Sequence, residues 1–159
     1  MSGISQATGI LAARDGVWAA INTATAHRGS DIDRYYAPPD AIGSVRWVAM
    51  EDVSATPNLA TLGPRRSFDE EISVGVSVGA WVAASGDPVA DGRAAFDEAY
   101  GILAEIQTQI AQTDPTLGNA VLWCLPGRMS TAGVQDPEGG GYVVEIQAEF
   151  VCAHKVRPT

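Results

Sequence analysis

The residues with the best chemistry for acid–base catalysis or metal binding are two histidines and two cysteines. Histidine is the commonest general base near neutral pH, but His27 follows the first predicted helix and His154 ends the last predicted strand. We interpret both as surface or helix-capping residues. Zinc ligands usually come in close pairs such as Cys-x2-Cys, and the spacing of Cys152 and His154 does not match. Cys124 and Cys152 are therefore predicted to be reduced, partly buried thiols, and no metal site is predicted.

Three consecutive carboxylates, Asp69, Glu70 and Glu71, stand at the start of a predicted strand. Alternation along a strand places Glu70 on the opposite face from the other two, so the three do not converge, and we interpret them as a charged strand end. The sequence contains no Gly-x-Ser-x-Gly motif, no Walker A loop and no dinucleotide-binding glycine motif. We therefore predict no catalytic residues, no cofactor-binding residues and no cofactor. The chain is predicted not to be an enzyme.

The spacing of apolar residues predicts the elements that position these side chains. Adjacent strands with two helices favour an α+β fold, with an antiparallel four-stranded sheet, a long helix packed on one face and an N-terminal helix. Residues 54–67 are predicted to form a long loop. The predicted elements are a helix over 6–24, a strand over 44–53, a strand from Phe68, a helix from Pro88 that stops before Asp114, a strand over 121–125 ended by Pro126, and a last strand over 144–152.

The long helix carries one apolar stripe at steps of three and four residues. Its start is marked by Asp87, which can cap free amides, and by Pro88, which suits the first helical position. We predict that the stripe packs on the valine-rich face of the sheet. The stripe consists of Phe96, Ala99, Leu103, Ile106 and Ile110.

Length and charge set further bounds on function. The chain has 159 residues, 46% apolar residues and a formal net charge of −9, which predicts one folded domain over 1–159. Its ten basic residues are scattered apart from the pair Arg65 and Arg66, so direct binding to nucleic-acid phosphates is disfavoured. The chain shows no signal peptide and no run of about 20 apolar residues, so no membrane association is expected, and we expect synthesis in the cytosol.

The segment from Phe68 to Lys155 resembles the tail terminator (tail completion) proteins of bacteriophages with long, non-contractile tails and of related gene-transfer particles. The N-terminal helix agrees with the layout of that family. The resemblance is carried by Phe68-Asp69-Glu70-Glu71-Ile72, the alternating valines that follow, Gly92-Arg93-Ala94-Ala95, Asp114-Pro115-Thr116-Leu117-Gly118 and Val151-Cys152-Ala153-His154.

Members of that family are non-catalytic, form rings of six subunits, cap the finished tail tube and present a surface to the head connector. The resemblance implies that this chain is a virion protein of the tail or neck, assembled in the host cytoplasm. Its implied partners are itself in a hexameric ring, the tail tube protein and head–tail connector proteins, while DNA passes through without specific binding. A head-to-tail connector or stopper subunit is the main alternative, and a small hydrolase is a less favoured one.

Two apolar residues lie on the nominally polar side of their predicted strands, Trp81 and Val151. A ring contact would bury them. Alternatively, the first helix covers that face, or a bulge turns Trp81 inward. Arg65 and Arg66 lie in the 54–67 loop, which occupies the place of a loop that faces the tail tube in the family. The candidate oligomer or partner interface therefore comprises Arg65, Arg66, Trp81 and Val151.

Overall fold

The structure is a computed structural model that describes residues 3–5, 7–59, 67–135 and 140–157. Helix α1 spans Ile10–Ala24 and is followed by a 3-10 helix over Ala26–Asp31, while α2 spans Pro88–Thr108 and continues as a π-helical turn over Gln109–Thr113. The strands are β1 (Ile4–Ser5), β2 (Asp33–Tyr35), β3 (Arg46–Leu59), β4 (Phe68–Ala83), β5 (Trp123–Gln135) and β6 (Gly141–Val156).

The strands form one mixed, six-stranded sheet in the order β1-β6-β4-β3-β2, with β5 also paired to β6. The four long strands pair with one another in antiparallel fashion, whereas β1 pairs with β6 and β2 pairs with β3 in parallel. The predicted four-stranded antiparallel sheet is therefore wrong. The added strands β1 and β2 have two and three residues, which is too short for a period-two pattern to reveal.

Two predicted strand ends are also wrong. β5 does not stop at Pro126 but continues to Gln135, with a shift in register between Pro126 and Met129. Among the described strands β5 pairs with β6 alone, and an edge strand tolerates a proline at such an irregularity because fewer ladder bonds need its missing N–H. β3 likewise runs on to Leu59, past a register shift between Met50 and Val53, so the beginning of the predicted loop is strand.

The predicted start of the long helix is confirmed, because Asp87 Oδ1 accepts hydrogen bonds from the backbone amides of Val89 and Ala90. The predicted stripe also faces the sheet. Phe96 packs against the core from a partly buried position, and the other four residues of the stripe are fully buried in it. The sheet side of this core includes Val74, Val76, Val78, Ile146, Ala148 and Phe150.

Helix α1 packs beside α2 on the same side of the sheet, through Ala13, Val17 and Ile21, which belong to the same core. The guanidinium of Arg34 donates hydrogen bonds to Thr25 Oγ1 and to the Thr25 carbonyl oxygen. These bonds connect the end of α1 to β2. Both described α-helices therefore cover one face of the sheet. The opposite face, which carries the odd-numbered residues of β4 and β6, is called the outer face below.

Candidate functional site

Trp81 and Val151 both lie on the outer face and are half-buried. The pairing of β4 with β6 runs without a register shift, with Trp81 opposite Val143 and Ser73 opposite Val151. No bulge therefore turns Trp81 inward, and α1 does not cover it because α1 packs on the other face. The remaining residues of the candidate interface, Arg65 and Arg66, lie outside the described residues.

One end of the outer face is an apolar pocket of about 480 Å³. At its base the indole of Trp47 lies directly on Gly79, where an added Cβ would come within 1.9 Å of Trp47 Cζ2. The Nε1–H of Trp47 is buried and has no hydrogen-bond partner among the described residues. We call this the tryptophan pocket, and its lining side chains are Ile42, Val45, Trp47, Trp81 and Val143.

The rim of this pocket is exposed to solvent. Ile42 and Val45 have exposed fractions of 40% and 46%, although both are large apolar residues. Trp47, by contrast, is only 5% exposed. The pocket thus has a fixed aromatic floor and an apolar rim that nothing in the described chain covers, which is the usual character of a contact site for another macromolecule.

The centre of the outer face is a polar groove of about 240 Å³. The carboxylate of Glu149 lies in this groove and accepts hydrogen bonds from Ser73 Oγ at 2.9 Å and from the Arg128 backbone amide at 3.2 Å. These bonds connect three adjacent strands, so the carboxylate has a structural role in the sheet. The groove is lined by Asp52, Ser54, Ser73, Gly75, Arg128, Ser130, Gln147, Ala148 and Glu149.

At the other end of the outer face, the side formed by β5 is apolar again. Leu125 on β5 lies opposite Val151 on β6, and Trp123 lies opposite Ala153. Trp123 is 43% exposed and Leu125 is 47% exposed. We call Trp123, Leu125 and Val151 the β5 patch. The sequence interpretation identified only its β6 member, since it treated the residues around Trp123 as a short strand with no assigned face.

His154, which was interpreted as a surface or capping residue, is in fact only 2% exposed. Its Nδ1 lies 3.1 Å from Glu70 Oε1, and Glu70 is itself buried. The Glu70 carboxylate also accepts from Thr8 Oγ1 at 2.7 Å and from the Gly9 amide at 2.8 Å. Gly9 is the N-cap of α1. This group is an internal anchor that holds the start of α1 on the sheet, and Glu70 is not simply part of a charged strand end.

The interpretation of His27 is confirmed, because its side chain is 62% exposed and its Nε2 contacts Glu105 at 3.0 Å. Cys124 and Cys152 are free and completely buried, with their sulfur atoms 3.0 Å apart. The hydrogen bond between the two thiols, together with burial, raises the pKa of the Cys124 thiol far above its usual range.

Within the described ranges, no cluster of three or more His, Cys, Asp or Glu side chains is arranged to hold a metal ion. In the same ranges, none of the helices has the length and apolar character needed to cross a membrane.

No protein-family model matches this sequence, and no curated protein matches it. Among solved structures, the chain is similar to a chain from the virion of a native gene transfer agent particle. The two share 11% sequence identity over 89% of this chain and 93% of the other, with a TM-score of 0.42. A likeness this distant establishes neither the fold nor the function of this chain.

Proposed function

We propose that this chain is a non-enzymatic structural subunit of a phage-like virion. It forms a homo-hexameric ring that caps the tail tube and offers a joining surface to the head connector. The observation that carries the assembly role is the outer face, whose two apolar ends are exposed in the single chain. The resemblance of the segment from Phe68 to Lys155 to tail terminator proteins supports the position in the tail.

The two apolar ends suit a ring because they differ from each other and lie far apart. Val143 in the tryptophan pocket and Val151 in the β5 patch are eight residues apart on β6, or roughly 27 Å at the rise of an antiparallel strand. Closed rings require one patch to meet a different patch on the next copy. Contact between the tryptophan pocket of one subunit and the β5 patch of the next would bury aromatic residues on both sides, as is typical of interface centres.

Charge supports the passage of DNA through such a ring without binding. The chain carries a formal net charge of −9. Part of this charge lies on the outer face, in exposed carboxylates such as those of Asp52 and Glu145. A wall of like charge repels phosphates and keeps the genome from adhering to the protein.

Native mass spectrometry of the purified protein, alone and after mixing with polymerised tail tubes, tests the ring. We expect hexamers of the wild-type chain, at least on tubes, and monomers of Trp81→Glu with an unchanged circular dichroism spectrum. Val89→Glu is the matched control, because Val89 is 81% exposed at the start of α2 and lies on the helical side. It introduces the same charge and should leave the ring intact.

A second variant keeps the test valid if Trp81→Glu fails to fold. Val45→Glu changes a residue on the pocket rim that is already 46% exposed, so it should block assembly with little effect on stability. A wild-type chain that stays monomeric on its own and on tail tubes would refute the ring. Binding to the head-side connector but never to tube ends would instead identify a connector or stopper subunit.

A further inference from the structure

The proposed ring makes no use of the two cysteines, although their sulfur atoms lie only 3.0 Å apart. Cys124 on β5 and Cys152 on β6 are directly opposed in register. Both are free and fully buried, and Cys152 donates to Cys124 across 3.0 Å. Opposed residues in antiparallel strands have Cα atoms about 4.5 to 5.5 Å apart, which falls within the range of about 4.4 to 6.8 Å for disulfides.

We propose that Cys124 and Cys152 are an oxidation site, at which a low-molecular-weight disulfide such as oxidised glutathione converts the dithiol into a cross-strand disulfide. The backbone already holds the two sulfur atoms together, so closure requires no rearrangement of the sheet. The proposal rests on the register and proximity of the two side chains and is independent of the proposed ring.

The reaction is an ordinary thiol–disulfide exchange. Cys124 loses its proton to solvent, and its sulfur attacks one sulfur of oxidised glutathione, releasing one glutathione thiolate and forming a mixed disulfide. Cys152 then loses its proton and attacks the Cys124 sulfur, releasing the second glutathione thiolate. The two protons protonate the two released thiolates. In total, the protein loses two hydrogen atoms and one oxidised glutathione becomes two reduced ones.

Access for the oxidant comes from the position of Cys124 on an edge strand. Among the described strands, β5 pairs with β6 alone, so local opening of β5 can expose the pair without separating β6 from β4. Complete burial in the closed state makes the reaction slow, and conditions that open β5 should accelerate it. The raised pKa of the Cys124 thiol slows the reaction further in the closed state, because the thiolate is the attacking species.

The disulfide would fix the part of β5 that forms the β5 patch. Trp123 and Leu125 flank Cys124 and lie on the outer face, while Cys124 lies in the core. The bond closes a long segment, since the two cysteines are 28 residues apart in sequence. Closing a loop of this length restricts the unfolded chain and should raise the Tm by roughly 5 to 15 °C.

The test uses the full-length protein incubated with either oxidised glutathione or dithiothreitol, with and without subdenaturing urea. After unfolding and maleimide labelling, the reduced protein should show two labelled thiols and the oxidised protein none. The intact mass of the oxidised protein should be lower by two hydrogen atoms. Cys124→Ala and Cys152→Ala are the controls, and each should retain one thiol or carry a single glutathione.

Urea should increase the rate of closure, and the oxidised protein should show the higher Tm. Two labelled thiols after oxidation in subdenaturing urea would overturn the proposal. So would a stable adduct with a glutathione on each cysteine, whereas a disulfide that leaves the Tm unchanged or lower would refute the expected stabilisation of β5. None of these readouts depends on oligomeric state, so the disulfide and the ring can fail separately.

Discussion

The internal anchor around Glu70 provides a direct test of how the start of α1 is held on the sheet. Glu70→Ala removes a carboxylate that accepts hydrogen bonds from Thr8 Oγ1, the Gly9 amide and His154 Nδ1. Glu71→Ala is the matched control, because Glu71 is the next residue, carries the same group and is exposed on the outer face. The two variants differ only in which face of β4 they change.

The structure sets the size of the expected loss. Thr8 is exposed and can bond to water once Glu70 is gone, so its hydroxyl contributes little. The Gly9 amide is buried and His154 is 2% exposed, and each loses a bond to a charged acceptor. Such losses cost about 1 to 3 kcal/mol each. We therefore expect Glu70→Ala to lower the free energy of unfolding by about 2 to 6 kcal/mol, and Glu71→Ala to change it by at most about 0.5 kcal/mol.

Urea unfolding followed by circular dichroism measures both variants at pH 7. For Glu70→Ala, the urea concentration at the unfolding midpoint should fall. The slope of the unfolding free energy against urea concentration should not change, because the surface exposed on unfolding stays the same. Hydrogen exchange at the Gly9 amide should quicken in this variant alone. Glu70→Gln keeps one acceptor oxygen and should fall between wild type and Glu70→Ala. Equal, small losses from Glu70→Ala and Glu71→Ala would refute the role of the anchor.

Two further changes probe α2. Leu103→Ala should lower the free energy of unfolding by about 2 to 5 kcal/mol in urea titrations, because Leu103 is a core residue, while Gln107→Ala on the same helix should be nearly silent. Hydrogen bonds from the Ser85 side chain and amide lower the pKa of Asp91, so its stabilising effect holds above the usual carboxyl pKa and fades as pH falls through the lowered value. Asp91→Asn should therefore lower the Tm at neutral pH and flatten its decline in acid.

The parts of the fold that follow from local pattern were predictable. β4 and the buried stripe of α2 were identified because their apolar periods of 2 and about 3.6 hold over many residues. The helix start at Asp87 and Pro88 was identified because a cap is a local chemical signal. In each case the information lies within a few residues of the element itself.

The features that were missed depend on partners distant in sequence. β1 and β2 form because β6 and β3 offer free edges, which their own few residues do not reveal. His154 shares the inward parity of Cys152, but its position at a strand end favoured a surface role. The residue that makes its burial possible, Glu70, is 84 positions away in sequence. A buried polar group becomes predictable only when its partner is known.

The outer face shows how one irregularity changes which residues face solvent. A strict alternation along β3 would place Trp47 and Val53 on one face, but the register shift after Met50 puts Trp47 on the outer face and Val53 on the core side. Gly75 makes room for the irregular segment of β3, since an added Cβ would lie 2.9 Å from the carbonyl oxygen of Asp52.

Gly79 makes room in the same way for the indole of Trp47, which therefore packs directly on the sheet. Trp81 is half-buried on the rim of the same pocket and does not belong to the hydrophobic core between the sheet and the helices. A charge at position 81 should consequently damage a contact with another subunit more than it damages the fold. Loss of assembly with retained circular dichroism in Trp81→Glu would then report on the interface itself.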